Sequence, residues 1–543
     1  MANVMGGGGR TGGGVGARIA CALLAIGAPA VVLVALPYKV FDLDRFFVPK
    51  ELVLHVVAAG CALALLARVR RLELTRVDTL LVAFLLLGFA SAAVAPNRWL
   101  AERALAVSLS GAAVFWSARA VAGTPLRGAL VGALALAVVL AAITSLLQAY
   151  GVESELFSIN RAPGGTLGNR NFVAHLAAVG MPLLVALALQ ARGRLAALAG
   201  ALAVSVTAAA LVLSRSRAAW LALAVCAVIG AFAVLAGWRT WRAAHLGPRV
   251  RSVGLFAAAG VATALLVPNT LDWRSDSPYL DSVRDVVNYR EGSGRGRLVQ
   301  YRNSVRMALA HPVLGVGPGN WPVRYPAYAS RHDPSLSDRD GMTDNPWPSS
   351  DWIAFVSERG VPAFACLVLA LVGLGVGALL AMPGADRAEK LMPPVALLAT
   401  LAATAVVGAF DAVLLLPAPA LVIWALLGVL ATPARARREI ALDGARGRWL
   451  LVVVLVLGAI AVARGAAQAR SMALFADGSR RSVLERASAL DPGSYRIHVR
   501  LAELYARQGR CSAARSHARA ARDLFPSAPE PRRTLRACSR RGR

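Results

Sequence analysis

Charge is what this sequence has least of. Asp, Glu, Lys and Arg make up 16% of its 543 residues, where a soluble domain carries about a quarter. The deficit is concentrated in long apolar blocks such as Leu126–Ala149 and Gly360–Met382. Each block can cross a hydrocarbon core of about 30 Å as a helix of about 20 residues. One block could be the buried helix of a large soluble protein, but a dozen could not. Cysteine is scarce too: there are six, with no Cys-x-x-Cys and no Cys/His spacing, so the sequence offers no metal site. Cys21, Cys61, Cys226 and Cys366 lie in apolar blocks and read as small hydrophobes. Aromatics are 6% of the chain and form no nucleic-acid-binding pattern with the basic residues, so the net charge of +29 is not read as a sign of DNA or RNA. In a membrane chain, arginines in short loops are topology signals and lipid-headgroup contacts. No small-residue cleavage site follows the first apolar run, so no signal peptide is expected.

The apolar blocks predict spans near residues 17–38, 51–67, 77–95, 104–122, 126–149, 172–190, 196–213, 218–237, 252–268, 352–381, 391–410, 412–431 and 449–463, the last being the shortest. One set of short loops holds 21 Lys and Arg and the opposite set holds nine. The richer set marks the cytoplasmic side, so the amino terminus, a disordered glycine-rich arm over 1–16, is expected inside. The membrane domain then runs over 17–463. Gly151–Asn171, the Ser214–Arg217 turn and the long loop 269–350 fall on the periplasmic side. Long ordered loops are usually functional.

The end of the chain, 470–543, is a different object. Its "ALDP" and "DLFP" place Leu490 and Leu524 one tetratricopeptide period apart, with small residues at Ala502, Ala506, Gly509, Ala514, Ala518 and Ala521 that permit close helix pairing. A helical-repeat module that binds a protein segment is expected. Thirteen crossings from a cytoplasmic start put it outside, where Cys511 and Cys538 could form a disulfide.

Three outer stretches hold groups that suit an anion. "SRSRAAW" leaves Arg215 and Arg217 at the membrane boundary, where an uncompensated charge is costly. Guanidinium forks match phosphate oxygens, although both side chains could simply snorkel to headgroups. "EGSGRGRLVQYRNSVRMALAHPVLGVGPGNW" holds Arg295, Arg297, Arg302 and Arg306 and a glycine-rich turn with no Lys-Ser/Thr after it, hence no Walker loop. "APGGTLGNRNF" offers Asn169 and Asn171 beside glycines that would let backbone N–H groups approach a ligand.

"GTLGNRNFVAHLAAVGMPLLVAL", "SRSRAAWLAL", "GRLVQYRNSVRMALAHPVLGVGPGNW" and "DWIAFVSERGVPAFACLVL" occur in that order. Together they resemble the successive motifs of the O-antigen ligase/O-antigen polymerase family of bacterial membrane glycosyltransferases. The resemblance implies an all-α, GT-C-like polytopic fold of about 12–13 transmembrane helices in the inner membrane. It implies an enzyme that takes a glycan from undecaprenyl pyrophosphate on the periplasmic face, with no cofactor and no metal. The acceptor would be lipid A core, another glycan or a protein hydroxyl. It also implies pyrophosphate binding by Arg217, Arg297 and, less well matched, Arg215, with Asn169 and Asn171 in a donor-site loop.

The sequence departs from the family where a His-Asn pair usually precedes the last motif, because Ser349 and Ser350 stand there. His332 is the loop histidine able to replace the missing base, and Asp351 and Glu358 are the alternatives, although both could be structural charges. "DRD" at 338–340 is too short a pattern to carry a metal site. Two rival readings stay open: a relative that binds lipid-linked glycan without chemistry and recruits partners through the tail, and a transporter or flippase. The spans contain few of the mid-membrane charges that a transporter would use.

Overall fold

The computed structural model describes residues 14–540 apart from 238–239, 242–243, 274–276, 285–291, 338–339, 384, 434–435 and 479. Most of the glycine-rich arm and part of "DRD" lie outside the described residues. The described residues are mainly helical, with one two-stranded sheet. The spanning helices are α1 (Val15–Leu33), α2 (Asp44–Leu66), α3 (Arg76–Ala93), α4 (Arg98–Ala122), α5 (Arg127–Ala149), α6 (Arg170–Gln190), α7 (Arg194–Ser214), α8 (Arg217–Ala236) and α9 (Gly247–Leu266). The long loop carries α10 (Pro278–Arg284), α11 (Gly292–Ala310) and the short α12 (Trp321–Arg324). Then follow α13 (Asp351–Ala381), α14 (Ala388–Phe410), α15 (Pro417–Leu430) and α16 (Gly444–Asp477). The tail is α17 (Arg481–Leu490), α18 (Tyr495–Arg507), α19 (Cys511–Leu524) and α20 (Pro529–Arg540).

Among the described residues, twelve helices are long and apolar enough to span a membrane, and α15 is a shorter apolar helix. The chain is a multi-pass membrane protein. The length of the last two crossings differs from the sequence expectation. The run at 412–431 becomes a short stretch of bends and turns followed by the 14-residue α15, about 21 Å long at 1.5 Å per residue. All of its residues are buried, so it need not match the bilayer. The run at 449–463 instead belongs to the 34-residue α16, which continues past the apolar segment and carries the tail.

Pairings between distant loops define two faces. Strands β1 (Arg71–Leu74) and β2 (Arg438–Ala441) pair antiparallel, Arg71 opposite Ala441 and Leu74 opposite Arg438. On that face Arg119 meets buried Asp78 at 2.8 Å and Arg192 meets Glu389 at 2.8 Å. These loops belong to the arginine-rich set. On the opposite face Thr270 N–H donates to the Ala149 carbonyl at 2.9 Å, and Ser349 N–H donates to Gln300 at 2.6 Å.

The tail also lies on this second face. Arg496 reaches the Val40 carbonyl, Asn97 donates to the Leu524 carbonyl at 3.1 Å, and Phe475 meets Phe41 edge-on at 5.3 Å. Cys511 and Cys538 are joined in a disulfide.

The start of α2 lies seven residues ahead of the expected span because its charges are compensated. Arg103 contacts Glu51 at 2.9 Å and Asp44 at 3.0 Å. Arg45 donates to the Glu155 and Phe157 carbonyls at 2.7 and 2.6 Å, and Lys50 donates to the Val34 carbonyl. A buried charge persists when it is paired or hydrogen-bonded.

Candidate functional site

The loop before α6 is fastened on all sides. Ser145 donates to the Pro163 carbonyl at 2.7 Å, Thr166 to the Val32 carbonyl at 2.8 Å, and Gly165 N–H to Gln148 at 2.8 Å. Gly168 has φ +85°, and a Cβ there would press into the Phe46 ring. This glycine therefore admits a neighbouring side chain, where the sequence suggested room for a ligand. Asn169 is buried and caps α6, its side chain accepting the Asn171 N–H at 3.0 Å. Asn171 stands half-buried on the first helical turn.

The α7–α8 junction is a tight reversal. Arg215 closes α7 in the left-handed region at φ +53°, Ser216 is buried, and Arg217 opens α8. The two half-buried arginines thus leave a turn, not a continuous helix face. The Arg215 guanidinium lies 4.7 Å from the centre of the Trp273 ring, and that of Arg170 lies 5.3 Å from the same ring. Behind the turn, Ser216 Oγ is 3.5 Å from Nε2 of buried His175, whose Nδ1 has no hydrogen-bond partner among the described residues. His175 lies within electrostatic reach of Arg297, from α11, and of Asp411, at the end of α14. Three motif segments far apart in sequence therefore meet around this turn.

The end of the long loop is held from α11. Tyr301, one turn after Arg297, places its hydroxyl 2.6 Å from the Ser349 carbonyl and 2.7 Å from the Ala409 carbonyl. Ser350 caps α13, accepting the Ile353 N–H at 3.4 Å and donating to the Gly408 carbonyl at 3.0 Å. The two serines that replace His-Asn thus anchor the loop.

The carboxylates near them are committed to backbone donors. Asp351 is fully buried and accepts N–H groups of Val413, Leu414 and Leu415 at 2.8 to 3.4 Å. Glu358 accepts those of Gly319 at 2.8 Å and Trp321 at 3.1 Å, which shapes the glycine-rich turn.

That turn in turn breaks α13. Val316 and Gly317 N–H groups donate to the Ser357 and Glu358 carbonyls at 3.0 and 2.9 Å, and Val361 N–H to the Pro312 carbonyl at 2.8 Å. Gly360 sits at the break with φ +80°, where any side chain would strike the Val313 carbonyl.

His332 is exposed in a loop turn. Its neighbour Asp333 is buried and accepts from Asn303 at 2.8 Å, Tyr325 at 2.8 Å and the Ser335 N–H at 2.8 Å. Burial, followed by the bond to Asp333, pushes the Tyr325 phenol well above its usual range, so it stays a donor.

Residues 201–368 match the family model described as O-antigen ligase. This segment belongs to the O-antigen ligase/O-antigen polymerase family. No curated protein matches the chain. The O-antigen ligase segment runs from α7 into α13, so it includes the Arg215–Arg217 turn, the long loop with Arg297 and His332, and Asp351. Asn169, Asn171, Arg170 and His175 lie ahead of it, yet α6 packs along α7 and brings them to the same place.

Sequence reasoning read "GNRNF" for its asparagines and passed over Arg170. It also passed over His175 as a span residue and over Trp273. Nothing in the aperiodic stretch "NTLDWRSDSPYL" singles out its tryptophan. Only the contact with two guanidiniums does.

Proposed function

We propose that this protein transfers a glycan from an undecaprenyl-pyrophosphate carrier to an acceptor hydroxyl on the face that bears the long loop, which is the periplasmic face of the bacterial inner membrane. The observation that carries the reading is the meeting of the Arg215–Ser216–Arg217 turn with His175 and, through it, the surroundings of Arg297. Guanidiniums held at a membrane boundary stabilise the charge that develops on a departing pyrophosphate. The acceptor oxygen forms a bond to the anomeric carbon as the bond from that carbon to the pyrophosphate breaks. The acceptor's proton passes to a base, and His332, exposed in the long loop, is the proposed one. Asp351 is assigned the anchoring of residues 411–415, since its oxygens are occupied by backbone donors. The chemistry requires neither a metal nor a nucleotide sugar.

Sidedness rests on the excess of Lys and Arg in the loops tied by β1 and β2 and on the tail disulfide opposite them. The tail helices are proposed to form a tetratricopeptide-like module that holds a protein partner near the site. The surface polysaccharide of a deletion strain tests the function. Accumulated lipid-linked polymer means a ligase and accumulated single repeat units mean a polymerase, while an unchanged profile contradicts both.

A further inference from the structure

The last stretch of the long loop, "DNPWPSSD", crosses from one side of the site to the other. Ser349 ties its end to α11, its carbonyl accepting the Tyr301 hydroxyl at 2.6 Å and its N–H donating to Gln300 at 2.6 Å. Tyr301 lies four residues after Arg297, on the same helix face. On the other side Asn345 Oδ1 lies 3.5 Å from Nη2 of Arg161, in the loop before α6. Between these two fastenings stands Trp347, with a proline on each side. Pro346 holds its own φ at about −65°, and Pro348 disfavours helical backbone at Trp347. The tryptophan is therefore carried on a stiff strap.

Trp347 is the half-buried member of an aromatic trio whose other two rings are covered. Its ring centre is 5.2 Å from that of Phe47, at 68°, and 6.3 Å from that of Phe172, at 52°, so neither ring lies parallel to the indole. Phe47 and Phe172 are themselves 5.9 Å apart and buried. Phe172 is on the first turn of α6, and His175 lies one turn deeper on the same face. The indole thus stands outward of His175, between the helix that carries it and the helix that carries Arg297.

A ring that only filled the core would be covered as the two phenylalanines are. Trp347 keeps part of its surface open, and the polar side chains that accompany it, Asn345 and Arg161, are partly or wholly exposed. The face of an aromatic ring is electron-rich. The oxygen-bearing carbons of a pyranose polarise their C–H bonds, and one side of the sugar presents several of these hydrogens together. A sugar can lay that side on an indole while its hydroxyl groups meet an amide, which donates and accepts, and a guanidinium, which donates. A prenyl chain has no use for the amide and the guanidinium.

We propose that Trp347 is the platform for the sugar joined to the carrier pyrophosphate, with Asn345 and Arg161 placed to hydrogen-bond its hydroxyl groups. The assignment rests on the carrier reading above and deepens it, because it makes Trp347 a residue that selects the donor glycan.

Trp347→Leu and Trp347→Tyr separate a platform from a cover. Both keep an apolar side chain over Phe47 and Phe172, and only tyrosine keeps a flat ring. The full-length protein in nanodiscs is titrated with undecaprenyl pyrophosphate and with the carrier-linked glycan extracted from cells that lack this protein. The wild type should bind the glycan-bearing lipid more tightly than the bare carrier. Trp347→Leu should weaken the glycan-bearing lipid by about tenfold and leave the bare carrier unchanged, while Trp347→Tyr keeps most of the affinity. Asn345→Ala, which removes no ring, should also weaken the glycan-bearing lipid alone, and it decides the matter if Trp347→Leu does not insert. Wild-type affinities in both the leucine and the alanine variant overturn the platform and leave the carrier reading standing. Equal weakening of the two lipids, equal loss with leucine and tyrosine, or a wild type that gains nothing from the glycan does the same. A wild type that binds neither lipid overturns both.

Discussion

Asn97 and Asn320 exchange two hydrogen bonds across 223 residues of sequence. The Asn97 N–H donates to Asn320 Oδ1 at 2.8 Å, and Asn320 Nδ2 donates to the Asn97 carbonyl at 3.0 Å. Asn97 also caps α4 through the Leu100 N–H at 3.2 Å and donates its own amide to Leu524 of the tail. One buried residue therefore joins the α3–α4 turn, the glycine-rich turn after α11 and the end of α19.

Replacing Asn320 by alanine strands two buried groups of Asn97, at a cost of about 1–3 kcal/mol each where no water enters. Asn320→Ala should lower thermal stability in detergent and expose the tail to protease at concentrations that spare the wild type. Unchanged melting and protection would show that the tail is held elsewhere.

The same contact makes sidedness testable. Cysteines at Ser330 in the loop and Ser527 in the tail should both react with a membrane-impermeant thiol reagent in intact spheroplasts, and one at Glu439 on β2 should react only after lysis. Cys511 and Cys538 should run as an intramolecular disulfide on non-reducing gels. Opposite labelling of Ser330 and Ser527 would contradict the fold, and reaction of Glu439 alone would invert the topology.

His332 and Asp351 should separate by the kind of loss. His332→Ala should reduce turnover by about 10²-fold or more, the usual contribution of a positioned base, while the protein inserts normally. Asp351→Asn should reduce the amount of folded protein, because an amide cannot replace a carboxylate accepting several backbone N–H groups. Full activity of His332→Ala would remove that histidine from the mechanism.

The tail should weaken in acid. His498 Nε2 lies 3.0 Å from the Pro492 carbonyl, which can only accept, so that nitrogen carries the proton and Nδ1 is bare. The Nδ1 of His517, 3.0 Å away, is then the donor between the rings. Protonating His498 sets two N–H groups against each other. Burial first, and for His517 the neighbouring His498 second, hold both imidazoles below their ordinary pKa. Their neutral forms therefore support the fold fully above the unfolded value of about 6.5, and that support is lost as pH falls through the lowered folded values. Protection of the α18 and α19 amides, taken relative to the intrinsic exchange rate at each pH, should fall from pH 7 to pH 5, and His517→Gln should flatten the change. A flat wild-type profile would show that the pair is not coupled to folding.

Most of the membrane architecture was legible because a span is a local property, twenty apolar residues in a row. The exceptions are positions where a distant partner decides. Nothing within α2 announces that Arg103 will neutralise Glu51, and so let the helix begin at Asp44. The break at Gly360 depends on the glycine-rich turn arriving from residues 312–317. Arg215, Arg217 and Arg297 could be picked out by motif. The anchoring role of Asp351 could not, because its partners lie sixty residues later. Trp273 and Tyr279 belong to no periodic pattern, and only the folded chain sets them beside Arg215.

Glycan transfer by the purified protein in proteoliposomes, from undecaprenyl-pyrophosphate-linked glycan to an acceptor, tests the central claim most directly. Arg217→Ala and Arg297→Ala should each abolish transfer while inserting normally, and Arg217→Lys, which keeps the charge but loses the fork, should be severely impaired. Release of glycan from the carrier at the wild-type rate in either alanine variant would contradict the account.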